Sequence, residues 1–125
     1  MITRAEVLMG RDAQYPLDAA LEANLAKLLP ALNVLREAYG QPMFVSSGYR
    51  PGPYNVAAHG AAHSNHMVCE ACDFHDSDGS LDAWCLRNQH VLEHAGLYLE
   101  DPRNTPGWCH VQCVPPKSGH RVFIP

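Results

Sequence analysis

The stretch SNHMVCEACD (residues 64–73) admits two readings that lead to different proteins. In one, Cys69-x-x-Cys72 is a thiol redox pair or half of a cysteine zinc site. In the other the cysteines are bystanders, and His66 and Asp73 are two ligands of one metal ion. A redox pair wants a helix N-terminus, where the dipole lowers one thiol pKa. Residues 67–75 read instead as a strand. Alternation then sends Cys69, Ala71 and Asp73 to one face and Glu70 and Cys72 to the other. The two thiols are split. A four-cysteine zinc site built from Cys69, Cys72, Cys109 and Cys113 meets the same difficulty, because Cys109 and Cys113 share a face while the first two do not.

Upstream, residues 18–39 carry Leu21, Leu25, Leu28, Leu32, Leu35 and Tyr39 at spacings of three and four, the stripe of a core-facing helix. Asp18 caps its start, Gly40 and Pro42 end it, and Pro30 predicts a kink or two shorter helices. MFVSS (43–47) reads as a strand, GYRPGPYN as a turn, and residues 56–65 as a loop. A second helix is expected from Ser80 to Gly96, followed by strands at LYLE (97–100) and WCHVQCV (108–114). The tail PPKSGHRVFIP is basic and is expected to fold back over the domain or to make contacts. This order predicts one α+β domain over residues 1–125, with a small, mostly antiparallel sheet packed with helices.

Composition narrows the function classes. The chain has 125 residues, 46% hydrophobic and 18% charged, which suits one globular domain. A net charge of −4 offers no reason to expect nucleic acid. No apolar run is long enough for a membrane span, and the N-terminus lacks the features of a secretory signal, so the expected location is cytoplasmic as synthesised. The five cysteines are an odd number without an export signal, which disfavours a disulfide framework. The eight histidines are many for this length, and most lie between His59 and His110.

If the strand holding Asp73 neighbours the strand holding His110, then His66, Asp73 and His110 converge at the strand ends. Two imidazoles and a carboxylate with water in the fourth position form a normal catalytic zinc shell. Such a metal activates water and polarises a carbonyl, which is amide hydrolysis chemistry. Taken singly, His66 reads equally well as a loop histidine and Asp73 as a turn cap. His90 and His94, one helical turn apart, read as surface residues.

SGYRP (47–51), SNHMVCEACD (64–73) and WCH (108–110), in this order, resemble the zinc D-alanyl-D-alanine carboxypeptidases and cell-wall endopeptidases of the VanX/VanY type. That family carries S-x-H-x-x-G-x-A-x-D, which Ser64, His66, Ala71 and Asp73 match. The resemblance runs from about Leu21 to the end. It implies a hedgehog/DD-peptidase-like fold, zinc held by His66, Asp73 and His110, and Arg50 beside the substrate, steadying the scissile carbonyl or holding a carboxylate. A guanidinium fork suits either task. Ser64 is expected to bind substrate or brace the His66 loop, and Gln112 is a further candidate for substrate contact.

The sequence departs from the family in two places. Cys69 stands where the motif has glycine. Gly107 stands three residues before His110, where many members have the Glu or Asp that serves as general base and acid. Activity is therefore expected to be in doubt, unless Asp101, Glu100, His59 or His63 supplies the proton transfer. The resemblance implies a peptidoglycan peptide as substrate, with the D-Ala-D-Ala bond or an L-Ala–D-amino acid bond as target. The alternative is a zinc-containing module that binds peptidoglycan without cutting it. A monomer is expected, and a phage enzyme released on lysis or carried in the virion suits the size.

Overall fold

The computed structural model describes all residues, Met1–Pro125. Five α-helices and five strands follow along the chain: α1 (Arg4–Leu8), α2 (Ala19–Tyr39), β1 (Val45–Ser47), α3 (Gly52–Ala57), β2 (Ala71–Asp76), α4 (Ser80–Arg87), α5 (Gln89–Ala95), β3 (Tyr98–Glu100), β4 (Gly107–Gln112) and β5 (Val122–Phe123). The strands form one sheet in the order β1-β2-β4-β3-β5. All pairings are antiparallel except β3 with β5. The expected α+β fold with a small, mostly antiparallel sheet is therefore present.

Alternation divides the sheet into two chemically distinct faces. Cys72, Phe74, Leu99, Cys109 and Val111 point to the helix side and are fully buried there with Leu25, Leu28, Leu32, Leu35 and Leu92. Opposite them, Ser47 pairs with Asp73, and Asp73 with His110. Tyr98 pairs with Gln112 and Leu99 with Val111, so the same register sets Glu100 opposite His110, and Glu100 in turn pairs with Phe123. A row of side chains thus crosses the sheet: Ser47, Asp73, His110, Glu100, Phe123. One face is core and the other carries chemistry.

Several elements differ from the expectation, each for a local reason. The strand expected over residues 67–75 begins only at Ala71. Residues Asn65–Val68 form a 3-10 turn capped by Ser64, and Cys69 ends it with φ 60°. The stretch expected to be turn and loop contains helix α3, with Pro51 before it and Pro53 in its first turn, where a missing N–H costs nothing. Helix α2 runs unbroken through Pro30, which lies on its exposed side. The helix expected from Ser80 to Gly96 is divided at Asn88, whose side chain donates to the Trp84 carbonyl (2.8 Å) while its backbone leaves helical geometry (φ −126°, ψ 43°). The tail does fold back, supplying β5. Helix α1 was not anticipated; Thr3 and Glu6 form a capping box around its short first turn.

Candidate metal centre

The SGYR turn is built to present two groups. Gly48 has no room for a side chain, because a Cβ would stand 2.1 Å from the Val7 carbonyl oxygen of α1. Its own carbonyl oxygen lies 3.0 Å from His66 Nδ1. Tyr49 is buried and anchors the turn, donating from its hydroxyl to the Tyr15 carbonyl (3.1 Å). Arg50 then projects into the cleft. Its Nε donates to Asn55 Oδ1 (3.0 Å), and its terminal nitrogens donate to Ser47 Oγ (3.3 Å) and Ser64 Oγ (3.4 Å). All these partners are neutral, and no carboxylate pairs with Arg50. Burial correspondingly lowers its pKa. The guanidinium is pre-oriented without a direct ion pair, with Asp73 the nearby negative charge that acts on it.

Ser64 also accepts from the His66 backbone N–H (3.2 Å), so it braces the turn that carries His66. Asn55 is a site residue that no motif or spacing signalled. It is 4% exposed, holds Arg50 through Oδ1 and donates to the Ala61 carbonyl (2.8 Å), clipping the histidine-bearing loop to the arginine. Gly60 is needed beneath it, since a Cβ there would collide with the Asn55 amide at 2.0 Å.

The three expected ligands meet. His66, Asp73 and His110 are all buried, and one donor atom from each lies within 4.8 Å of the others. Asp73 Oδ1 is 3.2 Å from His66 Nε2 and 2.8 Å from His110 Nδ1. Backbone and side-chain partners occupy the other ring nitrogens: Gly48 O faces His66 Nδ1, and Gln112 Oε1 faces His110 Nε2 at 2.9 Å. With those nitrogens carrying the protons, two imidazole lone pairs and a carboxylate oxygen point at one place. Such a donor set could hold a cation between its members, and outer hydrogen bonds of this kind are what orient metal-ligating histidines. The residues fit a metal ion. Burial alone would raise the Asp73 pKa, but the two imidazoles outweigh it and hold the carboxyl well below its usual range. Burial would likewise lower the pKa of His110, and Asp73 reverses that, raising it.

This is the only group of three or more His, Cys, Asp and Glu side chains so arranged. The cysteines are elsewhere. Cys72 and Cys109 face the core, Cys69 is buried with its thiol pushed up to about 12, and none of the five forms a disulfide. Neither the redox pair nor the cysteine zinc site assembles.

The centre lies in a cleft of about 810 Å³ walled by the loop around His59 and His63 on one side and by Val114–Ser118 and the C-terminal residues on the other. Glu100, Trp108 and Gln112 also line it. Asp101 does not: its carboxylate takes three bonds from Arg103, through the backbone N–H (3.0 Å), Nε (3.0 Å) and a terminal nitrogen (2.7 Å). His63 is exposed on the cleft wall.

The doubt attached to Gly107 is corrected. The metal-binding triad is complete rather than degenerate. Strand alternation puts Trp108, His110 and Gln112 on the cleft face, and Gly107 belongs to the opposite set with Cys109 and Val111. Its residue type subtracts nothing from the centre.

A buried His-Asp-His triad on one face of an α+β sheet, at the floor of an open cleft, defines the class as a metal-dependent hydrolase. The chain belongs to the peptidase M15 family, whose model matches residues 3–111. No curated protein and no solved structure matches it significantly. No helix is long and apolar enough to cross a membrane.

Proposed function

We propose that the protein is a zinc-dependent peptidase that hydrolyses an amide bond in peptidoglycan stem peptides, of the D-Ala-D-Ala carboxypeptidase or L-Ala–D-amino acid endopeptidase type. The observation that carries the reading is the complete triad beside an arginine held without a direct ion pair. Two nitrogen donors and one oxygen donor suit zinc, which when bound polarises a carbonyl and makes water nucleophilic near neutral pH. Arg50 supplies the charge that holds a substrate carboxylate or the developing oxyanion, and its neutral partners leave that charge available. Ser64 keeps Arg50 and the His66 turn in one geometry.

Proton transfer falls to Glu100 in this reading. It lies opposite His110 by continuation of the strand register and is the one acidic side chain in the cleft besides Asp73. Burial raises its pKa, against the charge of His110 and with that of Asp73, towards the range a general acid and base needs. It takes a proton as water attacks and returns it to the departing amine. His59 and His63 are exposed side chains that line the same cleft.

The test is incubation of the zinc-loaded protein with defined muropeptides, reading new amino and carboxyl termini by mass. Cleavage lost in His66→Ala supports the reading; no new termini from the zinc-loaded wild type overturns it. Glu100→Gln is expected to lower kcat by about 10²–10⁴-fold, the usual contribution of a positioned acid–base group, with zinc content unchanged. An unchanged kcat would move proton transfer to the histidine wall.

A further inference from the structure

The cleft differs in sign from the rest of the molecule. The chain carries a net charge of −4, yet of its 13 acidic residues only Asp73 and Glu100 line the cleft. Arg50 and Lys117 line it too and balance them, so a bound divalent cation leaves the cleft two charges positive. A concavity of one sign draws in ligands of the other. The two cations belong to facing sides. Arg50 is tied through Asn55 to the histidine-bearing loop, and Lys117 lies in the wall of Val114–Ser118. A series of bonds fixes that wall. The Cys113 N–H donates to the Glu70 carbonyl (3.0 Å), and the Gln112 side chain, expected to touch substrate, donates to the Val114 carbonyl (2.8 Å). Pro115 and Pro116 stiffen the next step. The Gly119 N–H then donates to the Pro116 carbonyl (2.9 Å), closing a turn with Lys117 and Ser118 at its centre. Lys117 is exposed at this corner and forms no ion pair.

We propose that Lys117 is a specificity-determining residue that takes a second substrate carboxylate. The cleft then selects acidic peptides, which bring one carboxylate to Arg50 and another to the facing wall. A peptide with a single carboxylate engages Arg50 and leaves Lys117 in water. Lys117 acts on binding alone, because the reacting atoms fall to the metal centre, Arg50 and Glu100. The inference rests on the peptidase reading and names the substrate class within it.

Steady-state kinetics of the zinc-loaded protein test it, on a muropeptide with two free carboxylates and on the same peptide with each carboxylate amidated in turn. For the wild type, either amidation is expected to raise KM. The one facing Lys117 should do so by about 2–5-fold, the range of a solvent-exposed ion pair, with kcat unchanged. Lys117→Gln is expected to become indifferent to that amidation while staying sensitive to the other. Lys117→Glu is expected to prefer the amide, and added salt should shrink the wild-type preference. A wild type with equal KM for all three peptides overturns the inference, and so does a Gln variant that still discriminates against both amides. The wild-type comparison needs no variant, so a variant that fails to fold leaves the test standing. Cleavage of all three with equal KM keeps the peptidase reading and sinks this inference alone. A zinc-loaded wild type that cleaves none of them overturns that reading and this inference with it.

Discussion

Cys69 sits at φ 60° with no solvent exposure, in the left-handed region that disfavours any side chain and most strongly a β-branched one. The family motif has glycine at this position, and the backbone shows the physical need for it: the chain must turn sharply from the His66 turn into β2. Cysteine is small enough to be carried there by its buried surroundings. Cys69→Gly is expected to fold and bind zinc normally, while Cys69→Val is expected to lose roughly 1–3 kcal/mol in denaturant unfolding. Asp82 is the second residue under tension. It is 5% exposed, its Oδ1 has no partner, and burial, with Asp76 and Asp101 adding like charge, pushes its pKa up to about 6 from 3.8. The fold therefore favours the protonated form. Its contribution is intact below about pH 4 and is lost as pH rises through 6, a change on the order of 2–3 kcal/mol. Asp82→Asn is expected to raise the melting temperature at pH 7 and to have little effect at pH 4; equal shifts at both values would refute the assignment.

Among the elements, α2 shows how context overrides a local rule. Pro30 removes an amide hydrogen and pushes against the preceding turn, which argues for a break. It lies on the solvent side, where the freed carbonyl reaches water and where a long helix tends to bow outward. Leu25, Leu28, Ala31, Leu32 and Leu35 stay buried on the other side and hold the helix to the sheet. Packing outweighs the lost bond. Pro30→Ala is expected to stabilise the protein by about 1–3 kcal/mol, read from the denaturation midpoint, with zinc affinity unchanged. Helix α4 depends on a tertiary cap instead: buried Asp76, at the end of β2, accepts from the Leu81 and Asp82 amides, both at 2.9 Å. The same strand thus carries Asp73 of the cluster and, three residues later, the carboxylate that caps α4.

For the molecule as a whole, the triad draws ligands from a 3-10 turn, β2 and β4, so filling it ties together segments far apart in the chain. Zinc is expected to raise the melting temperature, by the equivalent of about 2.7 kcal/mol when free zinc is a hundredfold above Kd. A chelator should reverse the gain, and His66→Ala should abolish it.

The sequence by itself indicated the class of fold and, through the family resemblance, the three residues that meet in the cluster. Period-two alternation is a property of any strand, so Asp73 and His110 could be placed on working faces before their strands were known to pair. It split Cys69 from Cys72 on the premise of a strand over both, whereas Cys69 caps the 3-10 turn before β2 and is buried there. Tertiary structure decided the rest. Glu100 and Asp101 are consecutive and chemically alike, yet one faces the cleft and the other is captured by Arg103. Which of them reaches the centre depends on strand register and on a neighbour's side chain, and neither is written in local spacing. Gln112 shares a face with His110, as alternation requires, but only the position of the Val114 carbonyl decides which end of its amide meets the ring. Gly107 looked like a missing catalytic group until the register of β4 put it on the opposite face. Local periodicity states which way a side chain points; what it meets there is settled by contacts across the chain.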